Sequence, residues 1–470
     1  LSRDTNMSRN LKEHTTTVTH SDDESVVSPG IQKYIDTNSE YLKRRDKYID
    51  EVVKTSKFDT IAVHGLYTME DAIEDYDGAI IEPVFLSSSQ AYRDSDELEA
   101  ALAYMIPTWC YSRIANPTTY YYEWTLALLE GYGFDGGTSC CSTSSGMAAI
   151  MMAVQPFLVH TRNHINEERN FLATAQCYGG TYQQFKVRLE QERGVECRWI
   201  EDPTDIDAWA SRIDDNTRFL YGELPSNPQQ GFFDIEAVAD LAHSHGLPLI
   251  VDNTVATPAL LRPICHGADI VVQSATKTLT SGGSGVAGGV ISRKDLVSNI
   301  DNPDMKADFA QYVKFLPNRD YGPNLHPMQA YMTLNDMLTL RSKMDMMSRN
   351  TQLVAEFLDA HPDIESVEYL GLPNTPLHEL ASRYMWLVDA EHDAQYGEPV
   401  NTETAKKVAA GAIAEAKKRN WNGLCVAIVG PSGDLVYFEK QDNCQFASIT
   451  ISQHKARVAA RYRRPTVVFE

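Results

Sequence analysis

Residues 273–289, QSATKTLTSGGSGVAGG, decide the fold of this chain. The segment continues an apolar run, DIVVQS (269–274), that has the composition of a buried parallel strand ending in polar residues. Lys277 therefore leaves a strand end beside hydroxyl groups and a glycine-rich turn. Burial at such a position favours the uncharged amine, which can form an imine with a carbonyl group. A lysine that only caps the strand end is the alternative, because a single short motif has a high false-positive rate.

Two similar apolar runs precede this segment, FLYGEL (219–224) and LIVD (249–252). The stretch between them, DIEAVADLAHSHG (234–246), is typical of a helix that begins after Asp234 as N-cap and stops at Gly246. Its apolar residues share one face: Ile235, Val238, Ala239 and Ala242. The pattern predicts a βαβ unit and an α/β fold with a mostly parallel sheet, in which ligands bind at the carboxyl ends of the strands.

Three further features near predicted strand ends could bind a flat, phosphorylated cofactor. Asp252 ends its strand, where a carboxylate could pair with a protonated pyridine nitrogen and keep the ring an electron sink. Ser145, Gly146 and Met147 open an apolar helix, whose free N–H groups and dipole could hold a phosphate, although an ordinary N-cap explains them equally well. Tyr178 precedes two glycines and could stack on a ring, although a plain Tyr-Gly turn is the simpler interpretation.

Taken together, the motifs resemble the Cys/Met-metabolism (transsulfuration) family of pyridoxal-phosphate (PLP) enzymes, which have the aspartate-aminotransferase-like fold, fold type I. They occur in the family's order over roughly residues 58–387, and together they are far more specific than any one of them. The matching segments are YSRIANPTT (111–119), LALLEG (126–131), SSGMAAI (144–150), CYGGTYQQF (177–185), ELPSNP (223–228), VDNTVATP (251–258), residues 273–289 and LTLRSKMDMMSRN (338–350).

The resemblance implies a catalytic role for three residues. Lys277 would hold PLP as a Schiff base and would move protons between substrate carbons. Asp252 would pair with the pyridine nitrogen, and Tyr178 would stack on the ring and act as a general acid or base. The resemblance also implies that PLP contacts the following residues: Tyr111, Arg113, Gly146, Met147, Tyr178, Asn227, Asp252, Ser274, Thr276 and Lys277.

Within that set, Asn227 would approach the ring hydroxyl. The phosphate would be held by Gly146, Met147, Ser274 and Thr276, and reached from a neighbouring subunit by Tyr111 and Arg113. The expected active unit is therefore a homodimer with shared sites, and the family suggests a homotetramer.

Two departures from the family pattern leave the substrate open. Many members have a Gly-His-Ser-Asp sequence after the lysine, whereas this chain has GGSG (282–285). The family's small C-terminal domain also ends with an arginine that binds the substrate carboxylate, and nothing after Met385 matches that segment. The arginine is either supplied differently, or part of the domain has been replaced.

The charge distribution points to a separate module at the C-terminal end. The chain of 470 residues has a net charge of −22. Residues 405–470 have 11 Lys+Arg against 5 Asp+Glu, or +6, which leaves −28 for the first 404 residues. This acidic balance argues against a nucleic-acid partner.

The tail resembles the small haem-binding and haem-degrading sensor domains. The resemblance is carried by AKKVAAGAIAEAKKRNW (405–421), CVAIVGPSGDLVYFEKQDN (425–443) and ISQHKARVAARYRRPT (451–466). His454 could be a haem ligand, although an isolated helix histidine is more often a surface residue.

We expect five segments along the chain. They are an N-terminal arm (1–57), a PLP-binding large domain (58–295), a partial small domain of the PLP enzyme (296–388), a linker (389–399) and a small α+β module (400–470). Within them we predict a helix at 31–53, a mainly helical segment at 327–360, a turn and strand at 361–373, a helix at 402–419 and two strands at 424–441.

The bulk composition narrows the class of protein. We find neither an apolar stretch long enough to span a membrane nor a signal peptide, and we expect a cytoplasmic protein. The eight cysteines show no pairing or histidine spacing typical of zinc, so no metal site is expected.

Two functions remain open at this point. The first is an enzyme that eliminates or replaces a group at Cγ or Cβ of a homoserine-ester-, cystathionine- or methionine-type amino acid. The segments YSRI and GTYQQF favour members similar to O-acetylhomoserine sulfhydrylase over cystathionine lyases. The second is an assembly or sensor protein that keeps PLP as a structural cofactor while the tail recruits a ligand or partner.

Overall fold

The computed structural model describes most of the chain as two compact units, Leu1–Leu387 and Val388–Glu470. The described residues are 27–106, 109–159, 168–280, 282–386, 401–419, 424–429, 435–442, 452, 453 and 456. The predicted linker at 389–399 and His454 lie outside them. Among these residues, no helix combines the length and the apolar character that crossing a membrane requires.

The described part of the first unit begins with helices that precede the sheet. The predicted arm helix is confirmed as α1, Pro29–Tyr48, which continues as a π-helical turn, Ile49–Val53. Its Tyr34 hydroxyl donates to Asp94 Oδ2 at 2.7 Å, so the arm packs on its own chain. The helices that follow are α2 (Phe58–His64), α3 (Met69–Asp75), α4 (Ser95–Leu102) and α5 (Pro117–Glu130).

A seven-stranded sheet forms the centre of the first unit. Its strands are β1 (Thr138–Thr143), β2 (Asn170–Thr174), β3 (Glu196–Ile200), β4 (Thr217–Glu223), β5 (Leu249–Asp252), β6 (Ile270–Gln273) and β7 (Gly288–Arg293). Their order is β1-β7-β6-β5-β4-β2-β3. All neighbours are parallel except β7, which runs antiparallel to β1 and β6. The predicted α/β fold with a mostly parallel sheet is confirmed.

Helices pack on both faces of the sheet. They include α6 (Gly146–Leu158), α7 (Gly179–Gln183, continued by a π-helix, Gln184–Gln191), α8 (Ile206–Ala210), α9 (Ile235–Ser244) and α10 (Thr257–Leu260). Side chains of successive strand residues point to opposite faces. Phe219 and Tyr221 accordingly belong to a core cluster with α6, whereas Leu220 belongs to a cluster with α9. This burial on both faces explains why the strands read as continuous apolar runs.

The helix predicted between β4 and β5 is confirmed as α9. The Asp234 side chain accepts from Ala237 N at 3.0 Å, and the predicted apolar residues are its buried ones. Gly246 follows with φ +68°, a conformation that side chains with a Cβ rarely adopt.

The chain after β7 is helical, as predicted for 327–360. It forms α11 (Pro303–Ala307), α12 (Phe309–Val313, continued by a π-helix, Lys314–Asn318), α13 (Arg319–Tyr321), α14 (Pro327–Met337), α15 (Leu340–Asp359) and α16 (His378–Tyr384).

The strand predicted at 361–373 is wrong. This segment is extended or turning and pairs with no strand in the described structure. One of its backbone groups is instead satisfied by a side chain, since Leu370 N donates to Gln230 Oε1 at 3.3 Å. Apolar residues alone do not make a strand, because a strand needs a neighbouring strand to pair with its backbone groups.

The described part of the second unit contains a helix and a hairpin pair of strands. These are α17 (Thr402–Lys418), β8 (Cys425–Val429) and β9 (Leu435–Lys440), and the two strands pair antiparallel. The predicted helix and both predicted strands are confirmed. Ala405, Ala409, Ile413 and Ala416 form the buried face of α17.

Candidate active site

Lys277 lies four residues after the end of β6. It is exposed in this chain, so the burial of its amine expected from the sequence is not found, because the turn after β6 carries the residue out of the buried sheet. Its N–H donates to Ser274 O at 3.2 Å, which closes a tight turn. Ser274 in turn lies against Gly146, the first residue of α6. A Cβ placed on Gly146 would lie 2.4 Å from Ser274 Cβ, so only glycine permits this approach. The Lys277 turn and the N-terminus of α6 are therefore neighbours.

The N-terminus of α6 can bind an anion. The Ser145 side chain caps the helix by accepting from Ala148 N at 3.1 Å. The amides of Gly146 and Met147 precede the first intrahelical hydrogen bonds and have no acceptor within the helix. Together with the positive end of the helix dipole they form a site suited to a phosphate.

Asp252 lies at the carboxyl end of β5 and is 6% exposed. Its Oδ1 accepts from Thr254 N at 3.0 Å, and its Oδ2 accepts from the Tyr221 hydroxyl at 3.4 Å. Thr254 Oγ1 accepts from Ser274 N at 2.8 Å, which joins Asp252 to the Lys277 turn. Burial raises the pKa of Asp252, so a positive group placed at this strand end would be stabilised by the carboxylate that it helps to ionise.

Tyr178 lies at the same end of the sheet, where the parallel strands have their carboxyl ends, and immediately precedes α7. The residue is 45% exposed. The neighbouring Gly180 lies between this ring and Met147, because a Cβ there would be 2.5 Å from Tyr178 Cε1 and 3.0 Å from Met147 Sδ. An exposed aromatic face therefore adjoins the N-terminus of α6.

Glu223 joins Tyr178 to Asn227. It ends β4, and its two carboxylate oxygens accept from Tyr178 N at 2.7 Å and from Asn227 N at 2.8 Å. The side chain of Asn227 is exposed at this point. The contacts described so far link seven of the residues selected from the sequence: Gly146, Met147, Tyr178, Asn227, Asp252, Ser274 and Lys277.

Thr276 is oriented differently from Ser274. Its hydroxyl donates to Ala287 O and accepts from Ala287 N, both at 3.1 Å, and thereby ties the Lys277 turn to the start of β7. The Ser274 hydroxyl lies beside Gly146 instead.

Tyr111 and Arg113 form a separate exposed pair in this chain. The Arg113 guanidinium lies 5.4 Å from the centre of the Tyr111 ring and donates to Arg319 O. No described contact joins either residue to the seven linked residues.

The arrangement fits PLP. It offers an amine, a buried carboxylate, a helix N-terminus for a phosphate and an aromatic face, all at one edge of the sheet. The approach of Gly146 to Ser274 is the observation that favours a phosphate cradle, because a side chain at residue 146 would clash there.

Comparison with known proteins identifies the family. Residues 59–389 match the model of the Cys/Met metabolism PLP-dependent enzymes. The chain belongs to this family. It is 35% identical to an L-methionine gamma-lyase from Porphyromonas gingivalis over 72% of this chain and 78% of that protein. It is 33% identical to an O-succinylhomoserine sulfhydrylase from Pseudomonas aeruginosa over 71% of this chain and 75% of that protein.

A solved structure supports the same assignment. An enzyme from Campylobacter jejuni described as an O-acetylhomoserine (thiol)-lyase superimposes with a TM-score of 0.62 at 30% identity, covering 70% of this chain and 82% of that one. That structure contains a pyridoxyl-lysine phosphate. The cofactor of this PLP-dependent family member and its fold type are thus as predicted. The relatives are enzymes, which supports the enzyme hypothesis and not the assembly or sensor alternative.

The tail matches a second family. Residues 400–470 match the model of haem degrading proteins of the HbpS-like type, as the resemblance suggested. His454, the candidate haem ligand, lies outside the described residues.

Our selection of site residues from the sequence did not include Glu223. It ends β4 as Asp252 ends β5, and the two are partners in the parallel register. The rule that strand ends deliver polar side chains could have identified it.

Proposed function

We propose that this chain is a PLP-dependent lyase or transferase of sulfur amino-acid metabolism that eliminates or replaces a group at Cγ or Cβ. The proposed substrates are homoserine esters, cystathionine or methionine-type amino acids. The observation that carries the proposal is the contact chain from the Lys277 turn through Ser274 to Gly146 and, through Thr254, to Asp252. It joins a reactive amine, an anion site and a buried carboxylate.

PLP supplies an electron sink for negative charge at the substrate Cα. Lys277 would bind the cofactor and move protons between substrate carbons, and its exposed position leaves its amine accessible for this. Asp252 would pair with the pyridine nitrogen. Tyr178 would stack on the ring and exchange a proton with the substrate, and Asn227 would approach the ring hydroxyl.

The phosphate is held by the amides of Gly146 and Met147 and by the hydroxyls of Ser274 and Thr276. For Thr276 this requires its hydroxyl to donate to the phosphate in place of Ala287 O, which the rotation of a hydroxyl group permits.

The choice between elimination and replacement follows from access of a second substrate. The named relatives include both a gamma-lyase and sulfhydrylases. The GGSG turn (282–285) has no long side chains, and Gly282 N and Val286 N donate to Asp336 and Gln329 of α14. We propose that the short side chains of this turn leave room for a thiol beside the substrate, which favours replacement on an O-acylated homoserine.

We further propose that the active unit is a homodimer, assembled into a tetramer and located in the cytoplasm. Tyr111 and Arg113 are exposed, and no described contact joins them to the linked residues of their own chain, which supports a role in a neighbouring site. Exposed apolar side chains precede them in the chain, and such surface is typical of a protein contact. They are Met69, Ile73, Ile80, Ile81 and Leu86.

The test is a turnover assay combined with an absorption spectrum. Purified protein is offered O-acetylhomoserine with sulfide, cystathionine, methionine and cysteine, and the release of thiol and 2-oxo acid is measured. We expect visible absorption from lysine-linked PLP, turnover of at least one substrate, and loss of both in Lys277→Ala. Lys294→Ala, which removes a lysine just after β7, is the control and should retain both. A Lys277→Ala protein that keeps the visible band would refute the proposed role of Lys277.

A further inference from the structure

Glu223 holds together two segments that the proposed function assigns to PLP binding. Its side chain is almost fully buried where β4 ends. One oxygen accepts from Tyr178 N at 2.7 Å and the other from Asn227 N at 2.8 Å. Both donors are backbone N–H groups. The carboxylate therefore holds the backbone of each segment in place, and not only the rotamer of one side chain.

Glu223 also lies beside Asp252. The two residues are partners in the parallel register of β4 and β5, and strands in such a pair are about 4.8 Å apart. Tyr221, two residues earlier on the same face, donates to Asp252 Oδ2 at 3.4 Å. The two carboxyl groups are therefore neighbours at one edge of the sheet.

The electrostatics reflect this proximity. Burial and the negative charge of Asp252 raise the pKa of Glu223 well above its ordinary value. Two other titratable groups that interact with Glu223 stay neutral, because burial raises the pKa of the Cys177 thiol to about 12 and that of the Tyr221 hydroxyl well above its ordinary value. A positive charge bound at this edge would favour ionisation of Asp252 and Glu223 together.

We propose that Glu223 is a positioning residue for the cofactor: its carboxylate clamps the Tyr178 and Asn227 segments and adds a second negative charge behind Asp252. The inference rests on the proposed function, since it assumes that PLP binds at this edge. As a positioning residue, Glu223 would act through the two segments that it holds and through its charge beside Asp252.

Two variants separate the clamp from the charge. Glu223→Gln keeps the length of the side chain but removes the charge and one acceptor for a backbone N–H. Glu223→Asp keeps the charge but is one methylene shorter, so that it cannot reach both donors. Asp202→Asn is the control. Asp202 is exposed just after β3, two strands from β4 in the sheet, and accepts from Thr204 N at 3.0 Å, so this variant changes a carboxylate to an amide where it holds neither Tyr178 nor Asn227.

The readouts are the dissociation constant of PLP, the pH midpoint of the visible band of lysine-linked PLP, and thermal unfolding of the holoenzyme. For Glu223→Gln we expect PLP binding to weaken about tenfold, as for one lost charge-assisted hydrogen bond. We also expect the pH midpoint to fall by roughly one unit, because a negative charge that stabilises the cationic form is gone. Glu223→Asp should weaken binding similarly but keep the midpoint. Asp202→Asn should change neither.

Three results would overturn the inference. One is unchanged PLP affinity and midpoint in Glu223→Gln. Another is weaker binding in both Glu223 variants with the midpoint unmoved in both, which would indicate a purely structural side chain. The third is an equal loss in Asp202→Asn. A wild-type protein without a visible PLP band would instead refute the proposed function itself, and the inference with it.

Discussion

Glu130 is a fully buried carboxyl group that no proposed catalytic step uses, and its ionisation should make the stability of the fold depend on pH. It is the last residue of α5 and has no exposed surface. Glu130 Oε1 accepts from Gln273 Nε2 at 2.6 Å, and both of its oxygens accept from Asn253 Nδ2 at 3.2 Å. The two amides are neutral partners. Burial therefore dominates and raises the pKa of Glu130 from 4.5 to about 7.

The sign and size of the effect follow from these values. Below pH 4.5 the carboxyl group is protonated in both the folded and the unfolded chain, and its burial then carries no electrostatic cost. Between pH 4.5 and 7 the unfolded chain releases the proton while the folded chain keeps it, so the free energy of unfolding falls as pH rises. A difference of about 2.5 pH units, at 1.36 kcal/mol each, corresponds to about 3 kcal/mol. The loss is complete above pH 7.

Glu130→Gln tests this reasoning because an amide of the same shape cannot ionise. Urea unfolding of the variant and the wild type is compared at the same pH, in steps from pH 4.5 to 8, so that all other titrating groups cancel. We expect the free energy of unfolding of the variant, relative to wild type, to increase by about 3 kcal/mol over this range. Glu201→Gln removes one exposed carboxylate and controls for the change in net charge. A relative stability that is constant, or that falls with pH, would refute the assigned burial cost.

Two further predictions concern a buried ion pair and the proposed shared site. Lys314 Nζ lies 2.5 Å from Glu123 Oε2, with both side chains almost fully buried, and Ser142 donates to Glu123 Oε1. Glu123→Gln should lower the free energy of unfolding, measured by heat or urea, by about 3 kcal/mol, because it leaves the Lys314 charge unpaired. The double variant Glu123→Gln/Lys314→Met should recover most of that loss. A Glu123→Gln protein as stable as wild type would contradict this. Subunits that carry Arg113→Ala and subunits that carry Lys277→Ala should each be inactive alone. After subunit exchange, turnover should return to about a quarter of the wild-type value, because half of the dimers are hybrids and each hybrid has one intact site of two. No recovery after verified exchange would indicate that Arg113 serves its own chain.

The sequence was sufficient to predict those parts of the fold that depend on local rules. The strands ending at Asp252 and before Ser274 follow from short apolar runs, and α9 follows from its cap, its apolar face and the glycine after it. Each of these signals lies within a few residues of the element that it predicts. The same rule brings Asp252 and the Lys277 turn to one end of the sheet, because the carboxyl ends of parallel strands meet there. The remaining site residues were implied by the family resemblance and stay predictions.

The remaining features depend on contacts between distant segments. The partner of Glu123 is 191 positions away, and the two amides around Glu130 are more than a hundred positions away. No local pattern separates these buried carboxyl groups from exposed ones on a helix. The strand expected at 361–373 was wrong for the same kind of reason, because a strand forms only where another segment of the chain pairs with it, and the local sequence does not show which segment that would be.

The three buried carboxyl groups near the site differ in a way that bears on the chemistry. Glu130 accepts from the neutral amides of Asn253 and Gln273, and its burial raises the pKa to about 7, so it serves the fold. Burial raises the pKa of both Asp252 and Glu223, and the charge of Asp252 adds to the effect on Glu223. Hydrogen bonds join this pair to the Lys277 turn and to the Tyr178 segment. A bound cation would offset this cost of ionisation. Because Asp252 and Glu223 are buried, a bound cation favours their ionisation, and their ionised forms favour binding of the cation. A site that binds a protonated pyridine ring requires this mutual stabilisation.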